Sequence, residues 1–441
     1  MQSHALSRRA FLKNTALAAA GMALAACAVP AAPAASTEGG AAAPATSPVE
    51  IIHFDRNIPQ DIEFRKELAE RFTQDNPNIT VKIEVMPDDY AATLIARIAS
   101  GTGGDCFRYG THYGMANWAL RGILQPLDDF IAQDGYDLSI YFQGSIDACK
   151  VEGKVYALPV NGHPGWSAIY YQPELFAEAG VEEPTDTWTY DDMTEAARKM
   201  TKGTDQYGLW VAPYYEATLT PMDAFGGWPM DETGTKALFD DEKTIAGVRW
   251  IYDMMQTDKV ALANPSFDSR VQLWSSGKVA MILSGIWEGS YLGDATPADK
   301  TLKVASGPIG PSGHRGGFMG CNVFPIMQTS KHPYEAWLWQ KYICSKEVGI
   351  ENVKRIGEPG LRTDVWEDPI LIDDPIVKPH YELLKIVKPM PVPANGRLSE
   401  IADPVTQIYS GIFLGDIEVE AGCAQIQETL QAILDQPKPG A

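Results

Sequence analysis

Aromatic rings in loops at predicted strand ends are the residues of this chain best suited to binding chemistry. They are Tyr109, His112, Tyr113 and Trp118, then Trp166, Tyr214 and Tyr215, Trp228 and Trp287. In an open α/β sheet, ligands bind beyond the carboxyl ends of the strands. An indole or phenol in that place packs on the apolar C–H face of a sugar ring, whose hydroxyls then need amide or charged partners. Candidate partners are Asp55 and Arg56 at the end of the first predicted strand, and Asn161 and His163 beside Trp166. Glu216 follows Tyr215, Glu288 follows Trp287, and Asn395 completes the set. Trp188, Trp250, Trp274, Trp337 and Trp339 fall on predicted helices and read as core.

Catalytic patterns are missing. The chain has no G-x-S-x-G elbow, P-loop, H-E-x-x-H or Rossmann glycine fingerprint at the start of a helix. Adjacent acids such as Asp88-Asp89, Asp128-Asp129 and Asp191-Asp192 are neighbours in sequence. They cannot face one substrate from opposite sides as glycoside hydrolysis requires, so they read as caps and solvated turns. The six histidines beyond His4 lack ligand spacing. No metal and no cofactor are expected.

The elements that position these residues are those of an α/β protein. Residues 49–55 read as a strand, 61–74 as a helix with Phe64, Leu68 and Phe72 on one stripe, and 79–85 as an alternating strand. Tyr90, Leu94 and Ile98 recur at helical spacing, which completes a strand–helix–strand–helix order and a largely parallel sheet. Two β-rich runs, 155–160 and 167–171, flank Asn161-Gly162-His163-Pro164-Gly165-Trp166, which reads as a loop on its Gly and Pro content. A helix over 173–179 stops at Gly180, and Thr189 with Asp192 has capping-box spacing. Residues 278–283 form a strand, 333–354 one long helix, and a last helix runs from 422 to 434 after the segment 387–401.

Outside this region, residues 1–26 read as a leader. Ser7-Arg8-Arg9-Ala10-Phe11-Leu12-Lys13 is a twin-arginine motif, and the apolar run 16–26 is too short to span a membrane. Leu24-Ala25-Ala26-Cys27 resembles a bacterial lipoprotein box, with Cys27 the lipidated residue. Residues 28–48 are Ala, Pro, Gly, Ser and Thr with few others, a flexible tether. Five scattered cysteines follow (Cys106, Cys149, Cys321, Cys344, Cys423), which is no disulfide framework. The chain of 441 residues carries a net charge of −21, and the leader takes away Arg8, Arg9 and Lys13, so the remainder is more acidic still. That balance excludes a basic nucleic-acid-binding face.

Gly153-Lys154-Val155-Tyr156-Ala157-Leu158-Pro159 followed by I-Y-Y-Q-P-E-L-F-A-E-A-G-V (169–181) resembles the extracellular solute-binding proteins of ABC importers, family 1. Gly122-Ile123-Leu124-Gln125-Pro126-Leu127-Asp128, the strand at 278–283 with Trp287 after it, and Glu358-Pro359-Gly360-Leu361-Arg362 echo the same family. The resemblance covers about 49–434. It implies a two-lobed, type II periplasmic-binding-protein-like fold with discontinuous lobes, 49–158 plus about 320–370 and 159–319 plus about 371–436. It further implies a monomeric, membrane-anchored lipoprotein outside the cytoplasm that captures a sugar in its cleft and hands it to an ABC permease. His163 stands where maltodextrin-type members carry an acid, which turns the expectation away from a maltodextrin. A binder of a polyol phosphate, with Arg56, Arg315 and Arg397 as candidate anion partners, a secreted carbohydrate-active enzyme and a sensory binding protein are the other readings.

Overall fold

The computed structural model describes residues 47–86 and 90–439; the leader and Cys27 lie outside the described residues, as does the tether up to residue 46. In chain order the strands are β1 (Val49–Arg56), β2 (Ile79–Met86), β3 (Cys106–Phe107), β4 (Tyr109–Gly110), β5 (Lys150–Val151) and β6 (Lys154–Val155). Then come β7 (Pro159–His163), β8 (Ala168–Tyr171), β9 (Tyr207–Trp210), β10 (Val279–Ser284), β11 (Lys303–Ser306) and β12 (Gly320–Val323).

In the first lobe, β1 pairs in parallel with β2 on one edge and with β3 on the other. Ile79 and Val81 of β2 are buried while Thr80 and Lys82 are exposed, the alternation of a sheet with one covered face. The helices Pro59–Asp75 and Tyr90–Ala99 make the crossovers, as the periodicity predicts. A second sheet, β4–β12–β7, is antiparallel and shares a core with β1 and β3 around Phe54, Phe107, Cys321 and Val323. The second lobe is built on β11–β8–β10–β9, in which β10 and β9 are parallel and the other pairs antiparallel. Its strands β8 and β10 are buried along their whole lengths.

Local signals hold at the helix ends. Gly180 terminates the helix Pro173–Ala179 in a left-handed conformation, and Thr189 with Asp192 forms a reciprocal capping box. Met193, Ala196, Ala197 and Met200 are buried along one stripe of that helix. All five described cysteines are free and buried. Among the described residues, no helix is long and apolar enough to cross a membrane.

Three expectations are corrected. Asn161, Gly162 and His163 are not loop: they continue β7 and pair with β12. Gly162 is what permits this, because a Cβ there would meet the Gly320 carbonyl oxygen at 2.2 Å and the Cys321 Cα at 3.1 Å. Two backbones cross too closely for a side chain, and a glycine that looked like a strand breaker is the condition for the pairing. The single helix at 333–354 is two, Pro333–Ile343 and Lys346–Ile356, because Ser345 is extended and caps the second through the Val348 N–H. A helix at Ala402–Leu414 went unread, and the last helix starts earlier, at Val419.

Packing bears on where the chain passes between the lobes. Val160 packs with Ile51 and Phe64 of the first lobe, and Leu371, Val377, Leu383 and Val387 pack with Phe54. Trp166 and Met390 belong to the second lobe's core. We therefore propose that the chain crosses between lobes at 164–167, 307–319 and 387–390. The last two crossings are joined, since the Met319 N–H donates to Lys388 O and the Met390 N–H to Met319 O.

Candidate functional site

These crossings are flanked by a cavity of about 330 Å³ with walls from both lobes. Arg56 and Ile58 enter it from the end of β1, Arg108 from between β3 and β4, and His112 and Tyr113 from the turn Thr111–Tyr113. His163 ends β7, Asn322 lies on β12, and Glu358 follows the helix Lys346–Ile356. The facing wall is Trp166, Tyr214, Glu216, Phe267, Trp287 and Tyr291, with Phe318 from the second crossing.

The rings form a continuous edge-to-face set. Trp287 stands 5.1 Å from Trp166 and 4.8 Å from His163, centroid to centroid, at interplanar angles of 80° and 78°. Phe267 lies 6.0 Å from Trp166, and His112 5.5 Å from His163. Glycines make room for them. A Cβ on Gly285 would sit 2.1 Å from the Trp287 ring, and one on Gly320 2.6 Å from the His163 ring. Gly165, at φ +89°, turns the chain so that the Trp166 N–H can donate to Thr220 Oγ1.

The polar groups differ in how free they are. The Gly165 N–H donates to His163 Nδ1, which leaves the ring proton on Nε2. Burial lowers the His163 pKa to about 4 and holds His112 well below the ordinary histidine value, so both are neutral near pH 7. Arg56 lies over the Tyr113 ring and donates to its hydroxyl at 3.4 Å. Burial raises the carboxyl of Glu216, which lies in the first turn of the helix Tyr215–Ala224. Among the described residues, no group of three or more His, Cys, Asp or Glu is arranged to hold a metal ion.

Of the fourteen ligand residues expected from the sequence, this cavity collects Arg56, His112, Tyr113, His163, Trp166, Glu216 and Trp287. Three more support it from behind. Asn161 donates to Glu358 Oε2, and the Tyr109 hydroxyl donates to the Tyr113 carbonyl. Glu288 is fully buried: its Oε1 accepts from Arg270 Nε at 2.5 Å, Ser284 Oγ at 2.9 Å and Trp287 Nε1 at 3.1 Å. It holds the indole in place.

The remaining four do other work. Asp55 is fully buried beside Arg65 and Arg108. Tyr215 points into the core of the second lobe. Trp228 lines a separate cavity of about 970 Å³. Asn395 donates to the carbonyls of Ile433, Leu434 and Gln436, closing the C-terminus of the last helix.

Phe267, Tyr291, Phe318, Asn322, Ile58, Arg108 and Glu358 were not anticipated as site residues. Of the candidate rings Tyr214 and Tyr215, Tyr214 is the one that lines the cavity; a helix start gives no sign of which tyrosine faces out. Glu358 carried a signal, since it opens the Glu358-Pro359-Gly360-Leu361-Arg362 element.

Residues 58–350 match the family described as bacterial extracellular solute-binding protein. A binding protein of Brucella abortus is 25% identical over 386 residues, covering 84% of this chain and 89% of that protein. The mannitol-binding protein of Pseudomonas aeruginosa is 24% identical over 395 residues, covering 82% and 88%. The GacH receptor of Streptomyces glaucescens, solved unliganded and with acarbose, superposes with a TM-score of 0.76 at 26% identity, covering 89% of this chain and all of that one. The fold is that of the two-lobed, maltose-binding-protein-like periplasmic binding proteins. With two lobes around one cleft, and a profile match over most of its length, the chain belongs to the bacterial extracellular solute-binding protein family.

Proposed function

We propose that this protein is the extracytoplasmic capture component of an ABC importer, that its solute is a sugar, a short oligosaccharide or a polyol, and that it delivers this solute to the permease. The observation that carries the reading is the two-sided cavity. Both indoles and most of the phenol faces stand on one wall, and Arg56, Arg108, Asn322 and Glu358 on the other, so a hydroxylated ring or chain completes contacts to both at once. A ligand that touches both lobes favours their closed arrangement over the open one. A volume of about 330 Å³ is near the lower end of ordinary ligand sites, which suits one or two sugar rings or a polyol. Relatives named for mannitol, maltotriose and arabino-oligosaccharides support the same class.

The polyol-phosphate reading loses two of its three arginines. Arg315 donates to the carbonyls of Gly307 and Asp186, and Arg397 to Glu400 and Pro437 O. Of these three, Arg56 alone lines the cavity, where Arg108 stands beside it already paired with Asp61.

The test is a thermal-shift panel on the purified protein with D-mannitol, maltotriose, arabino-oligosaccharides, acarbose and mannitol 1-phosphate. A ligand at about 100 times its Kd adds about 2.7 kcal/mol, a rise of a few degrees in Tm. Because Glu216 and Glu358 both face the cavity, each responding sugar is also recovered and checked for cleavage. An intact, stabilising neutral sugar or polyol fits capture; a cleaved one makes the protein an enzyme, and a shift with the phosphate alone moves the solute class.

Membrane attachment through a lipid on Cys27 belongs to the same proposal and rests on the twin-arginine and lipoprotein motifs. In cells, Cys27→Ser is expected to move the protein from the membrane fraction to the soluble extracytoplasmic fraction. Equal membrane retention of the two forms would sink the lipid anchor.

A further inference from the structure

Glu358 is the cavity carboxyl that the paired strands β7 and β12 together hold in place. Asn161 of β7 and Asn322 of β12 are cross-strand partners, and each donates its side-chain amide to the same oxygen, Oε2, at 2.8 and 3.1 Å. Oε1 has no hydrogen-bond partner among the described residues, and the side chain lines the cavity. The backbone leading to it is fixed as well. Gly357, at φ +76°, ends the preceding helix where a Cβ would lie 2.9 Å from Ser290 Cβ of the other lobe. Glu358 therefore sits where the two lobes approach each other, anchored on one oxygen and open on the other.

We propose that Glu358 is a specificity-determining residue of the cavity: ionised, it accepts hydrogen bonds from ligand hydroxyls at Oε1 and disfavours ligands that bring a negative charge. This rests on the reading of the solute as a neutral, hydroxylated molecule. The groups facing Glu358 are Arg108 between β3 and β4, Asp61 of the helix Pro59–Asp75, Arg56 of β1 and Tyr291 of the helix Glu288–Ala295. Burial raises the carboxyl to about 7; Arg108, the Asn322 amide and Arg56 oppose the rise and Asp61 adds to it. A ligand that only donates to Oε1 binds the ionised form. Affinity for such a ligand is therefore full above about pH 7 and falls as the pH drops below it. His112 and His163 stay neutral through that window and add nothing to the profile.

The experiment measures Kd by calorimetry between pH 5.5 and 8 for the tightest binder among D-mannitol, maltotriose, arabino-oligosaccharides and acarbose. In the unmodified protein Kd is expected to rise about tenfold on acidification across that range. Glu358→Gln keeps an acceptor for the two asparagine amides and turns an NH₂ group toward the cavity. Its binding at pH 8 should be weaker by about tenfold and flat with pH, with an unchanged melt. At pH 8 its preference for D-mannitol over mannitol 1-phosphate should also narrow. Glu216→Gln is the control, expected to weaken binding while the pH profile persists. A flat profile in the unmodified protein, or a profile lost in Glu216→Gln and kept in Glu358→Gln, overturns the inference. Failure of every neutral probe to bind at any pH overturns the parent reading, and this one with it.

Discussion

Replacing Asp55 by alanine is expected to lower the free energy of unfolding by about 3–5 kcal/mol, the cost of breaking a buried ion pair by removing one partner. The carboxylate is fully buried at the end of β1. Its Oδ2 lies 3.4 Å from Arg65 Nε, its Oδ1 lies 3.7 Å from Arg108, and Oδ1 also accepts the Arg56 N–H at 2.8 Å. Arg65 is 2% exposed and rests on the Phe324 face, so without Asp55 a guanidinium stays in the core with no carboxylate in contact. Arg108 keeps Asp61.

The His53 ring, whose Nε2 lies 3.7 Å from Oδ2, and the two guanidinium charges hold the Asp55 carboxyl well below its ordinary value, against the opposing effect of burial. A depressed folded pKa contributes stability that is present above about pH 4 and lost as the pH falls through the folded value. The stability gap between the parent and Asp55→Asn, measured by urea unfolding, should therefore be widest near pH 7 and shrink steadily below pH 4. A gap under about 1 kcal/mol at pH 7, or one that widens in acid, would contradict this account. Because Arg108 lines the cavity, Asp55 also fixes part of the ligand-facing wall from behind.

Asp55 shows where reading the sequence stops. Its residue type and its place at a strand end were legible, and both fit a ligand-binding acid. What the sequence does not display is that its lone pairs are taken by Arg65 and Arg108, 10 and 53 positions away along the chain. Glu288 repeats the pattern with Arg270. Elements with a strong period or a cap were legible, as β1, β2 and the helix Tyr190–Met200 show. Elements defined by a close approach were not. Gly162 reads as a breaker until the crossing backbone of Gly320 is known. The helix Ala402–Leu414 carries Pro404 in its first turn, where proline is tolerated, yet the residue marks a stop in a linear reading. Half of the expected ligand residues reach the cavity, the loop rings Tyr113, Trp166 and Trp287 among them; Tyr215 does not, because its neighbour Tyr214 is the one that turns outward.

Trp287 is the residue whose loss should most change ligand capture while leaving the fold in place. Its ring lies over Gly285, meets His163 and Trp166 edge to face, and is held by one hydrogen bond to buried Glu288. Trp166 is a poorer test, since it is 9% exposed and also packs against fully buried Trp210 at 6.4 Å. Its truncation would cost about 3–5 kcal/mol of stability and confound binding with folding. For Trp287→Ala, losing a stacked face is worth about 1–3 kcal/mol, about 5- to 150-fold in Kd for the responding sugar. The broken hydrogen bond adds about 1 kcal/mol to the cost in folding, a small drop in Tm. Trp287→Phe keeps a ring in place of the indole and should recover part of the affinity. Calorimetry on both variants, read beside their melts, separates the two roles. A Kd within twofold of the parent for Trp287→Ala would make the indole a packing residue and move the sugar face to Trp166 and Tyr214. A graded loss, Ala beyond Phe, at nearly constant Tm is the result expected of a ring that the ligand itself covers.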